Sequence, residues 1–150
     1  LEHALLAGKI ACYAQGFDLL ATASAEFGWN LPMAAIAEVW RAGCIIRSAM
    51  LDDMARALSG EGVANLMFAP SFAARMRASH GGLRATVARA ALAGAPVPAL
   101  GAALAYFDAM RTARSTANML QGQRDFFGAH GFARLDRSGT FHGPWAGGGL

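Results

Sequence analysis

The sequence predicts an all-α domain followed by an extended C-terminal tail, and three observations carry that prediction. Apolar residues make up 55% of the chain. The excess is chiefly alanine, the best helix former and small enough to let helices pack closely. From Leu6 to Arg114 apolar side chains recur in steps of three and four, the period of helices with one buried face. No alternation of strand-like with helix-like segments and no internal repeat interrupts that pattern. At 150 residues the chain is long enough for one domain with its own core.

The first helix is read from Leu6, Ile10, Tyr13, Phe17, Leu20 and Phe27, with Ser24 as the one non-apolar member of the seam and Gly28 as its end. Asn30 as an N-cap and Pro32 near the first turn start a second helix, whose seam runs Ile36, Val39, Trp40, Gly43, Ile46 and Met50. Ser59-Gly-Glu-Gly62 reads as a loop. It half resembles a dinucleotide-binding glycine pattern, but no strand precedes it and the last glycine is missing. Short helices are expected around Val63 to Phe68 and from Ser71 onward, then a longer one from Leu83 to Ala93, closed by Gly94 and kept from continuing by Pro96 and Pro98. The next runs from Ala99 to Arg114, with Leu100, Leu104, Phe107 and Arg111 in line, and the last begins near Ser115 or Thr116. Beyond Phe132 the helical period stops. A turn at Asp136 to Gly139, several glycines and the aromatics Phe141 and Trp145 make a segment that cannot bury itself, and the aromatics favour packing on a partner. The expected organisation is therefore a helical domain over 1–132 and a tail over 133–150. The text starts at Leu1 in mid-pattern, without a cap, as expected of a piece of something longer.

Charge and special residues exclude several functions. The net charge of +3 is carried by arginine, since Lys9 is the only lysine. Arg75, Arg77, Arg84 and Arg89 lack interleaved aromatics for base stacking, which makes them a solvated helix face and not a nucleic-acid surface. Ala90 to Phe107 has no charged residue over 18 positions, yet Pro96 and Pro98 cut it into halves too short to span a bilayer. Cys12 and Cys44 read as buried, reduced thiols of a cytoplasmic protein, and His3, His80, His130 and His142 show no metal-ligand spacing.

Polar chemistry gathers instead in Gln123-Arg-Asp-Phe-Phe-Gly-Ala-His130. On an unbroken helix, residues six apart stand about 120° from each other, so Arg124 and His130 would face different ways. A helix ending at Gly128 frees Ala129-His130 to turn, and both side chains then reach one polar ligand, the guanidinium taking a phosphate or carboxylate through paired hydrogen bonds. The alternative from spacing is that Arg124 pairs with Asp125 or a neighbouring helix while His130 caps a helix C-terminus.

Five ordered blocks bear on that choice. Ala117-Asn-Met-Leu-Gln-Gly-Gln-Arg-Asp-Phe-Phe-Gly-Ala-His130 resembles the C-terminal signature of the decarboxylating 6-phosphogluconate dehydrogenases. "GKIACYAQGFDLL" (8–20), "WRAGCIIRS" (40–48), "PVPALGAALAYFDAMR" (96–111) and "TFHGPW" (140–145) are similar to further segments of that family, in order. The resemblance implies the C-terminal helical domain of an enzyme that oxidatively decarboxylates 6-phosphogluconate to ribulose 5-phosphate in the pentose phosphate pathway. NADP would accept the hydride, bound mainly by an N-terminal domain. It also implies that Arg124 and His130 contact the substrate in the neighbouring subunit of a homodimer, the arginine at the phosphate, and that the tail embraces the partner. The family's catalytic lysine and glutamate and its glycine fingerprint match nothing here, so this chain alone is expected to be inactive. Departures are Cys12 for a serine, Leu31-Pro-Met-Ala34 for "LNYG" and Phe126 for a tyrosine. The alternative function is a stand-alone helical dimerisation module without catalytic activity.

Overall fold

A computed structural model describes residues 1–60 and 65–145, and the chain divides into two compact units, Leu1–Asp108 and Ala109–Leu150. The first is built on α1 (Glu2–Phe27), which packs along α4 (Pro70–Leu92). Ala4, Ala7, Ala11 and Ala14 form the buried stripe of α1, so the two backbones can approach closely. At Gly82 a Cβ would stand 2.6 Å from His3 Cβ and 3.6 Å from the backbone nitrogen of Ala4, which explains a glycine inside a helix despite its cost of about 1 kcal/mol. Phe72, Ile10, Leu51 and Met54 are fully enclosed in the core between these helices and the pair α2 (Met33–Trp40) and α3 (Leu51–Leu58). A single 3₁₀ turn, Leu66–Phe68, and α5 (Pro98–Met110), buried at Ala103 and Phe107, complete the unit.

The all-α expectation holds: among the described residues the only sheet is a two-stranded pairing near the C-terminus. Gly28 and Gly94, both with positive φ, end α1 and α4 as expected. Several element boundaries differ. The second helix stops at Trp40, and Gly43, Ile46 and Met50 are not on it. Gly43 takes a left-handed φ of 75°, and the Tyr13 hydroxyl donates to the Ile46 carbonyl, which a continuing helix would have reserved for its own N–H. Arg41 then pairs with Asp52 at 2.6 Å, joining the irregular segment to the first turn of α3. Asn30 is not an N-cap; it stands in the left-handed region, and the residue before α2 is Pro32. The helices expected separately from Ser71 and Leu83 are one continuous α4, because packing against α1 outweighs the weak propensity of Gly81-Gly82. Of the expected turn of helix around Val63 to Phe68, positions 63 and 64 lie outside the described residues, as do 61 and 62 of the glycine loop. The helix expected to reach Arg114 ends at Met110. Both cysteines are free thiols, but Cys12 is exposed and Cys44 half-buried.

In this unit Asn65 caps the 3₁₀ turn through its side-chain oxygen, which accepts from the Met67 N–H at 3.0 Å. Its amide nitrogen donates to the Tyr106 hydroxyl at 2.7 Å, and that hydroxyl donates to Asp18 at 3.3 Å. Three distant segments are thereby cross-linked by polar groups whose bonding is satisfied inside the fold.

The second unit consists of α6 (Ala117–Gly128) and an antiparallel hairpin of β1 (Phe132–Ala133) with β2 (Thr140–Phe141), in register Phe132 to Phe141 and Ala133 to Thr140. The tail thus has structure of its own. At the hairpin tip Asp136 accepts from both ends of the Arg134 guanidinium at 2.7 Å, and Arg134 and Arg137 each lie 5.6 Å from the centroid of the Phe141 ring.

Candidate functional site

The signature segment occupies the end of α6 and the turn that follows. Arg124 and Asp125 are neighbours and so point about 100° apart on the helix. Arg124 is exposed, whereas Asp125 is the one buried residue of α6, only 2% exposed. The aspartate collects four donors. Its Oδ1 accepts from the Gly131 N–H at 2.8 Å and lies 2.6 Å from His142 Nδ1; its Oδ2 accepts from the Gly143 N–H at 2.7 Å and from Trp145 Nε1 at 2.6 Å. Burial by itself pushes the Asp125 carboxyl up. The hydrogen bonds from Gly143, Trp145, His142 and Gly131 outweigh it and hold the group well below the usual carboxylate range. Two of the signature blocks, around Asp125 and around His142 to Trp145, are therefore one structure, and Phe126 meets the Trp145 ring edge to face at 5.9 Å.

The helix ends where expected but by a different device. Gly128 is the last helical residue, and the left-handed position is Ala129, with φ 51°. Glycine at 128 leaves room for the ring where it stands: a Cβ there would fall 2.5 Å from His130 Nε2, since the imidazole lies over that backbone. The ring also meets Phe127 edge to face at 6.3 Å. Gly131 is constrained twice, by a φ of 72° and by Thr140, whose methyl would strike any Cβ.

Both sequence-predicted site residues thus stand on the open surface of the second unit. Among the described residues Arg124 has no carboxylate partner, because Asp125 is occupied with the tail, and His130 donates to no helix carbonyl. No hydrogen bond joins Arg124 to His130. The arrangement offers a cation and an imidazole free for an anionic, hydroxyl-bearing ligand. In the same unit a groove of about 490 Å³ runs between α6 and the hairpin, with Arg114, Asn118, Gln121, Arg134 and Trp145 on its walls; neither Arg124 nor His130 lines it.

Sequence reasoning missed Asp125 as a structural centre. The signal was present in the pairing of an aspartate with a downstream His-Gly-x-Trp, but only the fold brings residues 17 to 20 apart onto one carboxylate. It also missed a cavity of about 420 Å³ in the first unit, where Lys9, Cys12, Tyr13 and Gly16 of α1 face Trp40 and Arg47. Among the described residues neither Lys9 nor Arg47 has an acidic partner, so two cations line an otherwise apolar wall. Such a lining suits a ligand with negative charge. No group of three or more metal-ligating side chains occurs among the described residues, and no helix there is long and apolar enough to cross a membrane.

Comparison with known proteins gives a consistent answer. Residues 1–145 match the family described as 6-phosphogluconate dehydrogenase, C-terminal domain. A Bacillus subtilis protein named as an NAD(+)-dependent, decarboxylating 6-phosphogluconate dehydrogenase is 44% identical over 147 residues, covering 97% of this chain and 31% of its own length. The decarboxylating enzyme of Klebsiella pneumoniae is 45% identical over 146 residues, again with 97% and 31% covered. Among solved structures, Plasmodium falciparum 6-phosphogluconate dehydrogenase, described in its apo form and in complex with NADP+ and with 6-phosphogluconate, aligns with a TM-score of 0.90 at 38% identity, covering 95% of this chain and 31% of that one. The chain spans about a third of the length of the relatives it matches. With the helical architecture and the ordered sequence blocks agreeing, this chain belongs to the 6-phosphogluconate dehydrogenase C-terminal domain family.

Proposed function

We propose that the chain serves as the C-terminal helical domain of a cytoplasmic, homodimeric 6-phosphogluconate dehydrogenase, in which NADP accepts the hydride as 6-phosphogluconate is oxidised and decarboxylated to ribulose 5-phosphate. Arg124 and His130 contact the substrate bound mainly by the partner subunit, Arg124 at the phosphate. The observation that carries this reading is the exposure of both side chains on one short segment while the intervening Asp125 is buried, which leaves the guanidinium without a competing carboxylate among the described residues. The exposed apolar side chains Met119, Leu120, Phe126 and Phe127 on the same helix support a partner surface.

The described residues contain no parallel βαβ unit and no glycine-rich turn between strand and helix, and no hydride step is assigned to them. What this domain supplies is binding and orientation. A planar guanidinium meets two phosphate oxygens at once, fixing the direction as well as the position of the sugar chain. An imidazole six residues on, past the end of the helix, adds a single, more adaptable hydrogen bond.

The test is Arg124→Ala in the full-length enzyme. Charged hydrogen bonds are worth about 1.5–3 kcal/mol each, so the KM for 6-phosphogluconate is expected to rise by about ten- to a hundredfold. The KM for the nicotinamide cofactor should stay where it is. An unaltered substrate KM removes Arg124 from the site and the reading with it.

A further inference from the structure

We infer that Asp125 is the positioning residue for His130: a carboxylate that never meets the substrate but sets where the imidazole stands. The inference rests on the substrate-binding reading of Arg124 and His130 above. Both peptide N–H groups that flank His130 are bonded to this one residue. The Ala129 N–H donates to the Asp125 carbonyl at 2.9 Å, and the Gly131 N–H donates to the Asp125 carboxylate at 2.8 Å. Between them the chain passes through two left-handed residues, Ala129 and Gly131, so His130 is presented on a backbone loop clamped at both ends to the last turn of α6. A left-handed alanine is unfavourable in isolation, and the bonds to Asp125 are what hold it. The third constraint is Gly128, over which the ring lies.

The geometry also says which substitution isolates this role. Three of the four groups around the carboxylate, the Gly131 N–H, the Gly143 N–H and Trp145 Nε1–H, can only donate. His142 Nδ1 alone can change from donor to acceptor with its tautomer. An asparagine at 125 must turn its NH₂ toward one side. Facing Gly143 and Trp145 it would oppose two donors. Facing Gly131 and His142 it opposes one and gains His142 as an acceptor. The second orientation is favoured, so Asp125→Asn keeps both tail bonds and loses the bond to Gly131, the one next to His130.

The experiment compares D125N, H130A, R124A and the two double variants D125N/H130A and D125N/R124A in the full-length enzyme, by steady-state KM and kcat for 6-phosphogluconate. A misplacement of about 1 Å in a positioned group costs up to about a hundredfold, so D125N should raise the substrate KM tenfold or more, as H130A should. In the H130A background D125N should add nothing further, while in the R124A background its effect should multiply in full. A merely structural role would give equal factors in both backgrounds, and that result overturns the inference, as does a D125N enzyme with unchanged KM when H130A has raised it. If neither H130A nor R124A moves the KM, the substrate-binding reading itself has failed. Should D125N not fold, Asp125→Ser, smaller and free of the misdirected amide, carries the same comparison in both backgrounds.

Discussion

Replacing Gly128 by alanine separates function from stability. The glycine is helical, with an ordinary φ, so backbone strain does not oppose the change. Alanine in its place favours the helix by up to about 1 kcal/mol, less at this terminal position than in a helix interior. The added methyl meets the imidazole of His130, at 2.5 Å from Nε2 and 2.7 Å from Cδ2. Ordinary contact lies near 3.5–4.0 Å, so the ring must withdraw by about 1 Å. His130 is exposed and free to swing, which keeps the folding cost small. For a ligand that the ring must reach, the same displacement costs on the order of tenfold to a hundredfold. The expected outcome for Gly128→Ala in the full-length enzyme is a melting temperature equal to or slightly above the parent's, with a raised KM for 6-phosphogluconate and an unchanged cofactor KM. Steady-state kinetics at several fixed cofactor concentrations and a thermal melt read both quantities. A substrate KM identical to the parent's would refute the premise that the ring's seat over Gly128 has functional meaning.

Two further outcomes concern the fold. Tyr106→Phe removes the hydroxyl that accepts from the Asn65 amide and leaves that nearly enclosed group unpaired, so the urea midpoint of unfolding should fall by the equivalent of about 1–3 kcal/mol; no shift would mean that Asn65 finds another partner. Asp125 has a folded-state pKa lowered from 3.8, so the stability it contributes is fully present above that pH and is lost as pH falls below it toward the folded-state value. The melting temperatures of the parent and of Asp125→Asn should therefore converge as pH falls below 3.8, and a gap that stays constant on acidification would show that the carboxylate's charge does not matter to the clasp.

Much of the first unit could be read directly. The α1 seam through Ile10, Tyr13 and Phe17, its end at Gly28, and the stop at Gly94 before Pro96 and Pro98 follow from interactions within a turn or two of chain. The second seam was misread because Ile46 and Met50 continue the apolar period beyond Trp40. Period cannot register that Tyr13, 33 positions away, takes the Ile46 carbonyl. The break expected before Leu83 erred in the opposite sense: the low helix propensity of Gly81-Gly82 is local, while the compensating contact of Gly82 with α1 at His3 is distant. Arg124 and His130 were legible as candidates from their block. That the helix turns at Ala129 rather than Gly128, and that Asp125 faces inward, was not.

By itself the sequence determined the helical class, the C-terminal ends of α1 and α4 and the family, because periodicity, glycine and proline stops and ordered blocks of residues are properties of neighbours along the chain. Only the tertiary structure decided which carboxylate is buried and where α2 ends. Those outcomes depend on hydrogen bonds between groups 17, 20 and 33 positions apart, and such groups become partners only when the chain has closed on itself.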